Sequence, residues 1–271
     1  MLGPPLSAAD IAALENAVVP RYLSRFGSLL VEMMLPYEPA RVAHVGCRGG
    51  YPDALVAEKL RGASHVGVDA SAAAIEIARA RAGAQASYMV HDGALPAPLP
   101  DSGFTHAFTV HPVCRPAPRQ ALLGELRRLL VPGGQALIAL PLRGSFPELH
   151  DMGRECALKQ DLSNLSAAID AANAARPTLE TIGQELEAMG LSEVEVDVEM
   201  ISVSFGNGRE FLDDPVARLM VIPDLTATVE VDQTVSEALV RYMHEAVSKY
   251  WSEGAFELTV NVGCASGRRP L

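Results

Sequence analysis

The segment Val42-Ala43-His44-Val45-Gly46-Cys47-Arg48-Gly49-Gly50 carries a short apolar run into a glycine-rich turn that opens a helix. Glycines there let the backbone approach a ligand, and the unpaired N–H groups of a helix start suit a carboxylate or phosphate. Such turns often do no more than reverse the chain, so the neighbouring residues decide. Asp69 ends the second apolar run 19 positions after Gly50, at the edge where an acidic residue accepts hydrogen bonds from both ribose hydroxyls. Its ordinary role would be to start the turn into Ser71. Asp92, in His91-Asp92-Gly93 after the third run, has the same two readings, with an adenine amino group as the ligand donor. Three such features at successive strand ends read together as a nucleoside site.

The elements that must position these residues follow from periodicity. The spacing of Leu14, Val18, Tyr22, Leu23, Phe26, Leu29, Leu30 and Met33 predicts a helical cap over residues 1–36, with Pro20 breaking it in two. From Arg41 short apolar runs alternate with amphipathic stretches, the pattern of crossover units around a parallel sheet. Strands are expected at Arg41 to Val45, His65 to Val68, Ser87 to Val90, Phe104 to Val110 and Ala136 to Leu140. Helices between them are framed by Pro52 and Gly62, and by Ser71 and Gly83, with a third from about Arg119 to Leu130. Residues 145–175 read as a helical insertion, and Thr178 caps a further helix that Gly190 ends. Strict alternation at Val194, Val196 and Val198, and from Phe256 to Cys264, adds two strands. Between them, Gly206 to Gly254 is helical and long for a connection, as lids and binding surfaces are.

Composition narrows the function classes. The 271 residues, 49% hydrophobic and 20% charged, suffice for a sizeable core and fit one domain with elaborations. With 22 basic against 33 acidic residues the net charge is −11, a field that repels phosphate backbones and anionic lipid, so neither nucleic acid nor a membrane surface is expected as partner. The start, Met1-Leu2-Gly3-Pro4-Pro5, lacks the basic and apolar regions of a signal peptide, and the expected location is cytoplasmic. Cys47, Cys114, Cys156 and Cys264 stand far apart and predict free thiols rather than a zinc site or a disulfide framework. His106 and His111, five apart in an extended strand, face opposite sides, so no metal site is expected.

The sequence resembles the class I S-adenosylmethionine-dependent methyltransferases, in the small-molecule branch that includes ubiquinone/menaquinone biosynthesis and malonyl-carrier-protein methyltransferases. The resemblance rests on His44 to Gly50, on Val66-Gly67-Val68-Asp69-Ala70-Ser71, and on Asp92 followed by Leu95-Pro96 and Leu99-Pro100-Asp101-Ser102. Phe104 and Leu129-Leu130-Val131-Pro132-Gly133-Gly134 complete it. It implies a doubly wound, Rossmann-like α/β fold, a seven-stranded sheet whose last strand is antiparallel, with residues 41–141 as the cofactor core. It further implies S-adenosyl-L-methionine as cofactor, held by Gly46, Cys47, Arg48, Gly50, Asp69, Ala70, Asp92 and Gly93. The acceptor would be a small molecule or a carrier-bound metabolite.

The match departs at three positions. His44 stands where the family has Asp or Glu, Arg48 where it has the middle glycine, and Thr105 where an aspartate follows the strand-four phenylalanine. His44 weakens the organisation of the cofactor's ammonium end. Arg48 either clamps the cofactor carboxylate or fills its space; the planar fork of arginine suits a carboxylate, and the clamp is expected. Methyl transfer needs little covalent help, since a held sulfonium methyl is already a strong electrophile. For a hydroxyl acceptor His111 is the candidate base and His150 the second, while Arg115, Arg143, Tyr242 and Trp251 are candidate pocket residues. The three departures support an alternative, a fold that kept its shape, lost turnover and binds a protein partner on its helical insertions. A nicotinamide oxidoreductase shares the first strand and the acidic ribose ligand but needs G-x-G-x-x-G, which Arg48 and Gly50 do not supply.

Overall fold

The computed structural model describes residues 6–112 and 115–271; Met1 to Pro5 and Cys114 lie outside them. In chain order the elements are α1 (Ala8–Ala13), a π-helical segment (Leu14–Leu23), α2 (Ser24–Met33), β1 (Arg41–Val45), α3 (Asp53–Lys59), β2 (Ser64–Asp69) and α4 (Ala72–Arg81). Then come β3 (Ala86–Val90), β4 (Phe104–Val110), α5 (Pro116–Leu129), β5 (Leu130–Pro141), α6 (Pro147–Lys159), α7 (Ser163–Ala175) and α8 (Leu179–Ala188). The chain closes with β6 (Ser192–Phe205), α9 (Ile222–Thr228), α10 (Gln233–Tyr250) and β7 (Phe256–Arg268).

The strands form one seven-stranded sheet in the order β3-β2-β1-β4-β5-β7-β6. Neighbours from β3 to β5 are parallel, with Val45 beside Val68 and His44 beside Phe108. Parallel pairs require crossovers, and covering helices bury both faces, which is why β4 is buried along its whole length. Strand β7 runs against β5: Gly133 N–H donates to Arg269 O and Leu142 N–H to Asn261 O, so one index rises as the other falls. The α/β fold with an antiparallel last strand is therefore as expected. Strand order reverses between β1 and β4, the switch point at which open sheets of this kind bind ligands.

Four elements differ most from the sequence reading, among them β6, which runs over Ser192–Phe205 where alternation marked only Val194 to Val198. The N-terminal helix does not break at Pro20 but continues through it in π register; the wider turn relieves the clash of the proline ring with the preceding carbonyl. Strand β5 starts at Leu130 and runs through Pro132-Gly133-Gly134, because Gly133 and Gly134 exchange hydrogen bonds with Arg269. That partner also carries β7 on to Arg268. Capping follows the sequence: Ser71 Oγ accepts from Ala74 N–H, and Thr178 with Thr181 forms a capping box on α8.

Residues group into two compact units, one comprising the chain up to Leu140, Thr178–Val198 and Val262–Leu271, the other Pro141–Pro177 and Glu199–Asn261. In the second, α6, α7 and α10 meet at Gly153, where any Cβ would collide with the Ile169 side chain and press on Leu239. A buried ion pair joins Arg176 to Asp224, and the Arg176 guanidinium lies 5.3 Å from the Phe146 ring centre. Phe205, Phe211 and Phe256 pack as an aromatic cluster against which Trp251 rests at 5.0 Å. Among the described residues no helix is long and apolar enough to cross a membrane, and Cys47, Cys156 and Cys264 are free, buried thiols.

Candidate functional site

Where β1 ends, the chain makes a tight turn that hangs on β2: the N–H groups of Gly46 and Cys47 both donate to Val68 O, at 2.9 and 3.1 Å. Gly46 and Gly50 have φ of 75° and 89°, the left-handed region in which glycine is unstrained. Between them Arg48 takes φ 46° with a full side chain, a conformation few non-glycine residues adopt. Cys47 packs into a cluster with Ile75, Ala78 and Tyr88. Burial, then Asp53 and Asp69, push its thiol pKa well up, so it stays protonated. Within the turn the thiol donates to Arg48 O at 3.8 Å.

Asp69 closes this turn from the next strand. Its Oδ2 accepts from Arg48 N–H and its Oδ1 from Ser71 N–H, each at 2.9 Å. A carboxylate has about four lone-pair positions, so two remain for further donors. Ala70 follows at the bend, and Ser71 Oγ–H donates to Leu6 O, bringing the N-terminal segment to the same edge. Asp92 is exposed; its Oδ1 accepts from Ala94 N–H at 3.0 Å in a turn whose Gly93 has φ 82°.

The Arg48 side chain crosses from β1 to the end of β4. Its Nη1 donates to Val110 O (2.9 Å) and its Nη2 to His111 O (2.8 Å), in a partly buried position. Burial lowers its pKa from the ordinary value, and Asp69 opposes that shift. His111 is buried, with its Nε2 2.8 Å from the Tyr22 hydroxyl and its ring edge-on to Tyr22 and Phe26. The structure thus gathers the turn, Arg48, Asp69 and His111 at one sheet edge, under the N-terminal segment. His150, Arg143, Tyr242 and Trp251 belong to the second unit. There Arg143 Nε donates to Arg176 O, and Lys159 to the Tyr242 hydroxyl. Arg115 is exposed at the start of α5.

The other two departures have partners of their own. His44 Nδ1 lies 2.7 Å from Asp53 Oδ1, its ring stacks on Phe108 at 4.2 Å, and Tyr88 O–H donates to Asp53 Oδ2. Because Asp53 can only accept, Nδ1 is the donor. The Thr105 hydroxyl bridges to the β1 backbone, accepting from Arg41 N–H and donating to Arg41 O. Sequence reading missed Tyr22, Asp53 and Tyr88 as partners. Tyr22 carried the signal of a core position only, and nothing in local spacing links Asp53 to His44.

Residues 42–134 match the family model described as a methyltransferase domain. A search of curated proteins finds no match. Among solved structures, the chain is similar to one from the Haloferax volcanii complex between the Trm112 methyltransferase activator and its designated methyltransferase. There the identity is 17%, the coverage 97% of each chain and the TM-score 0.54. It is similar to phosphoethanolamine N-methyltransferase 2 of Haemonchus contortus in complex with S-adenosyl-L-methionine (18% identity, 98% of this chain and 58% of that one, TM-score 0.58). It is also similar to the [4+2]-cyclase SpnF (16% identity, 91% and 80% of the chains, TM-score 0.51). At these identities the likeness establishes the fold.

Proposed function

We propose that this chain, which carries a methyltransferase-domain core on the class I methyltransferase fold, binds S-adenosyl-L-methionine at the carboxyl ends of β1 to β3 and passes its methyl group to a small-molecule or carrier-bound acceptor. The observation that carries this reading is Asp69: a buried strand-end carboxylate, anchored by two backbone N–H groups, with lone pairs left for two ribose hydroxyls. Gly46, Cys47 and Gly50 would bring backbone to the cofactor's amino-acid end, with Ala70, Asp92 and Gly93 along its base. When bound, the cofactor supplies an electrophilic methyl group. The protein's share is to orient the acceptor in line and keep water out. For a hydroxyl acceptor His111 takes the proton, its ring oriented by Tyr22. Calorimetric titration with S-adenosylmethionine and S-adenosylhomocysteine tests the assignment. Saturable binding of both is expected, and binding of neither ends it.

A second reading, a binding module on the same fold, is favoured by Arg48. Its guanidinium is bound to the protein's own carbonyls beside the turn, so a carboxylate clamp would require giving up both bonds. The fold does not dictate the reaction, and SpnF is a cyclase. The geometry favours the space-filling arm over the clamp, so Arg48→Gly should tighten S-adenosylhomocysteine binding about tenfold, or ~1.4 kcal/mol. It opens the space and relieves the positive φ. Weaker binding in this variant would restore the clamp. A gain beside an inert wild type would support the binding module.

A further inference from the structure

Helices α3 and α4 face each other with small side chains. Ala54 and Ala57 on α3, and Ala78 on α4 with Ala82 just beyond it, line a cavity of about 540 Å³. That volume lies in the range of small-molecule sites. It reaches from Gly49 and Gly50 at the glycine turn down to Ala63 and Gln85, at the opposite ends of β2 and β3 from Asp69 and Asp92, neither of which lines it.

Buried polar side chains complete its wall: Asp53, Tyr88, His65 and Glu15, whose Oε1 is buried without a partner among the described residues. Two are committed to each other, since Tyr88 donates to Asp53 and Asp53 holds His44. His65 is different. It is 5% exposed, and neither Nδ1 nor Nε2 has a hydrogen-bond partner in the protein. A buried polar group without a partner is costly, and this one ring carries two. Burial lowers its pKa, with Asp53 pulling the other way, which leaves a neutral imidazole with one N–H donor and one acceptor. At the rim Arg81 is paired with Glu15, so the cavity presents no unpaired cation to an anionic ligand.

We propose that this cavity binds an uncharged aromatic molecule bearing a hydroxyl group, the ring against the alanine walls and the hydroxyl on His65. Methyl-lined walls favour an apolar ring, and the charged groups in the lining are already engaged, Arg81 with Glu15 and Asp53 with His44 and Tyr88. A hydroxyl can both donate and accept, as a neutral imidazole does. The proposal does not depend on cofactor binding at the sheet edge.

The test is titration of the full chain with 2-naphthol, followed by calorimetry, alone and with saturating S-adenosylhomocysteine. Saturable binding that S-adenosylhomocysteine does not displace is expected. Ala82→Leu and Ala57→Leu, at half-exposed and exposed lining positions, should keep the wild-type melting temperature and weaken 2-naphthol at least tenfold. His65→Leu should weaken 2-naphthol about tenfold and leave 2-methylnaphthalene unchanged. No saturable binding, displacement by S-adenosylhomocysteine, or undiminished affinity in both folded alanine variants would overturn the proposal.

Discussion

Asp69→Ala is expected to weaken S-adenosylhomocysteine binding by roughly 1.5–3 kcal/mol, the range for hydrogen bonds to a charged group, while the protein still folds. At the proposed cofactor site two ribose bonds would be lost together with the anchor that shapes the turn, because Oδ2 holds Arg48 N–H and Oδ1 holds Ser71 N–H. Losing the anchor also lowers the melting temperature, since two N–H groups at a mostly buried edge lose their acceptor. Asp69→Asn separates the two effects. It can keep one acceptor for the backbone while removing the charge, so its melting temperature should lie nearer the wild type than its affinity does. Calorimetry and thermal melts on the three proteins check this. Unchanged affinity in a normally stable Asp69→Ala would remove the cofactor assignment.

The second large effect concerns acid. His150, 3% exposed on α6, has its pKa lowered to about 4 by burial first and then by Arg176 and Arg154, with Asp151 and Asp224 opposing. An ordinary histidine titrates near 6.5. Between about pH 6.5 and 4 the unfolded chain therefore binds a proton that the folded chain refuses, so stability falls as pH falls through that window and levels off below it. The difference is worth on the order of 3 kcal/mol. Denaturant unfolding across pH 4–7 should show this slope in the wild type, and His150→Gln should flatten it. A slope that survives the substitution would assign the acid sensitivity to other groups.

How much of this was legible beforehand follows from how local each determinant is. The strand Phe104–Val110 was readable to the residue because aromatic and β-branched residues, Phe104, Thr105, Phe108, Thr109 and Val110, are gathered between Gly103 and Pro112. Ser71 and Thr178 were readable because an N-cap is decided within four residues. Asp69 was readable because a strand end and a turn fix its place at the sheet edge. Pro20 misled because the breaking rule concerns an α-helix in isolation, whereas packing of Val18, Tyr22 and Leu23 keeps the segment helical in a wider register.

Residue types and their periodicity thus determined, without coordinates, the crossover units, the glycine turn and the acidic strand end, since each depends on neighbours a few positions away. Tertiary structure alone decided where long side chains go. Arg48 had two chemically sound destinations, and only the approach of β4 to β1 places the Val110 and His111 carbonyls within its reach. His44 gained Asp53, and His65 gained no protein partner, by the same kind of accident of packing. A side chain's partner is set by what the sheet brings within about 3 Å of it, and that distance is not a property of sequence separation.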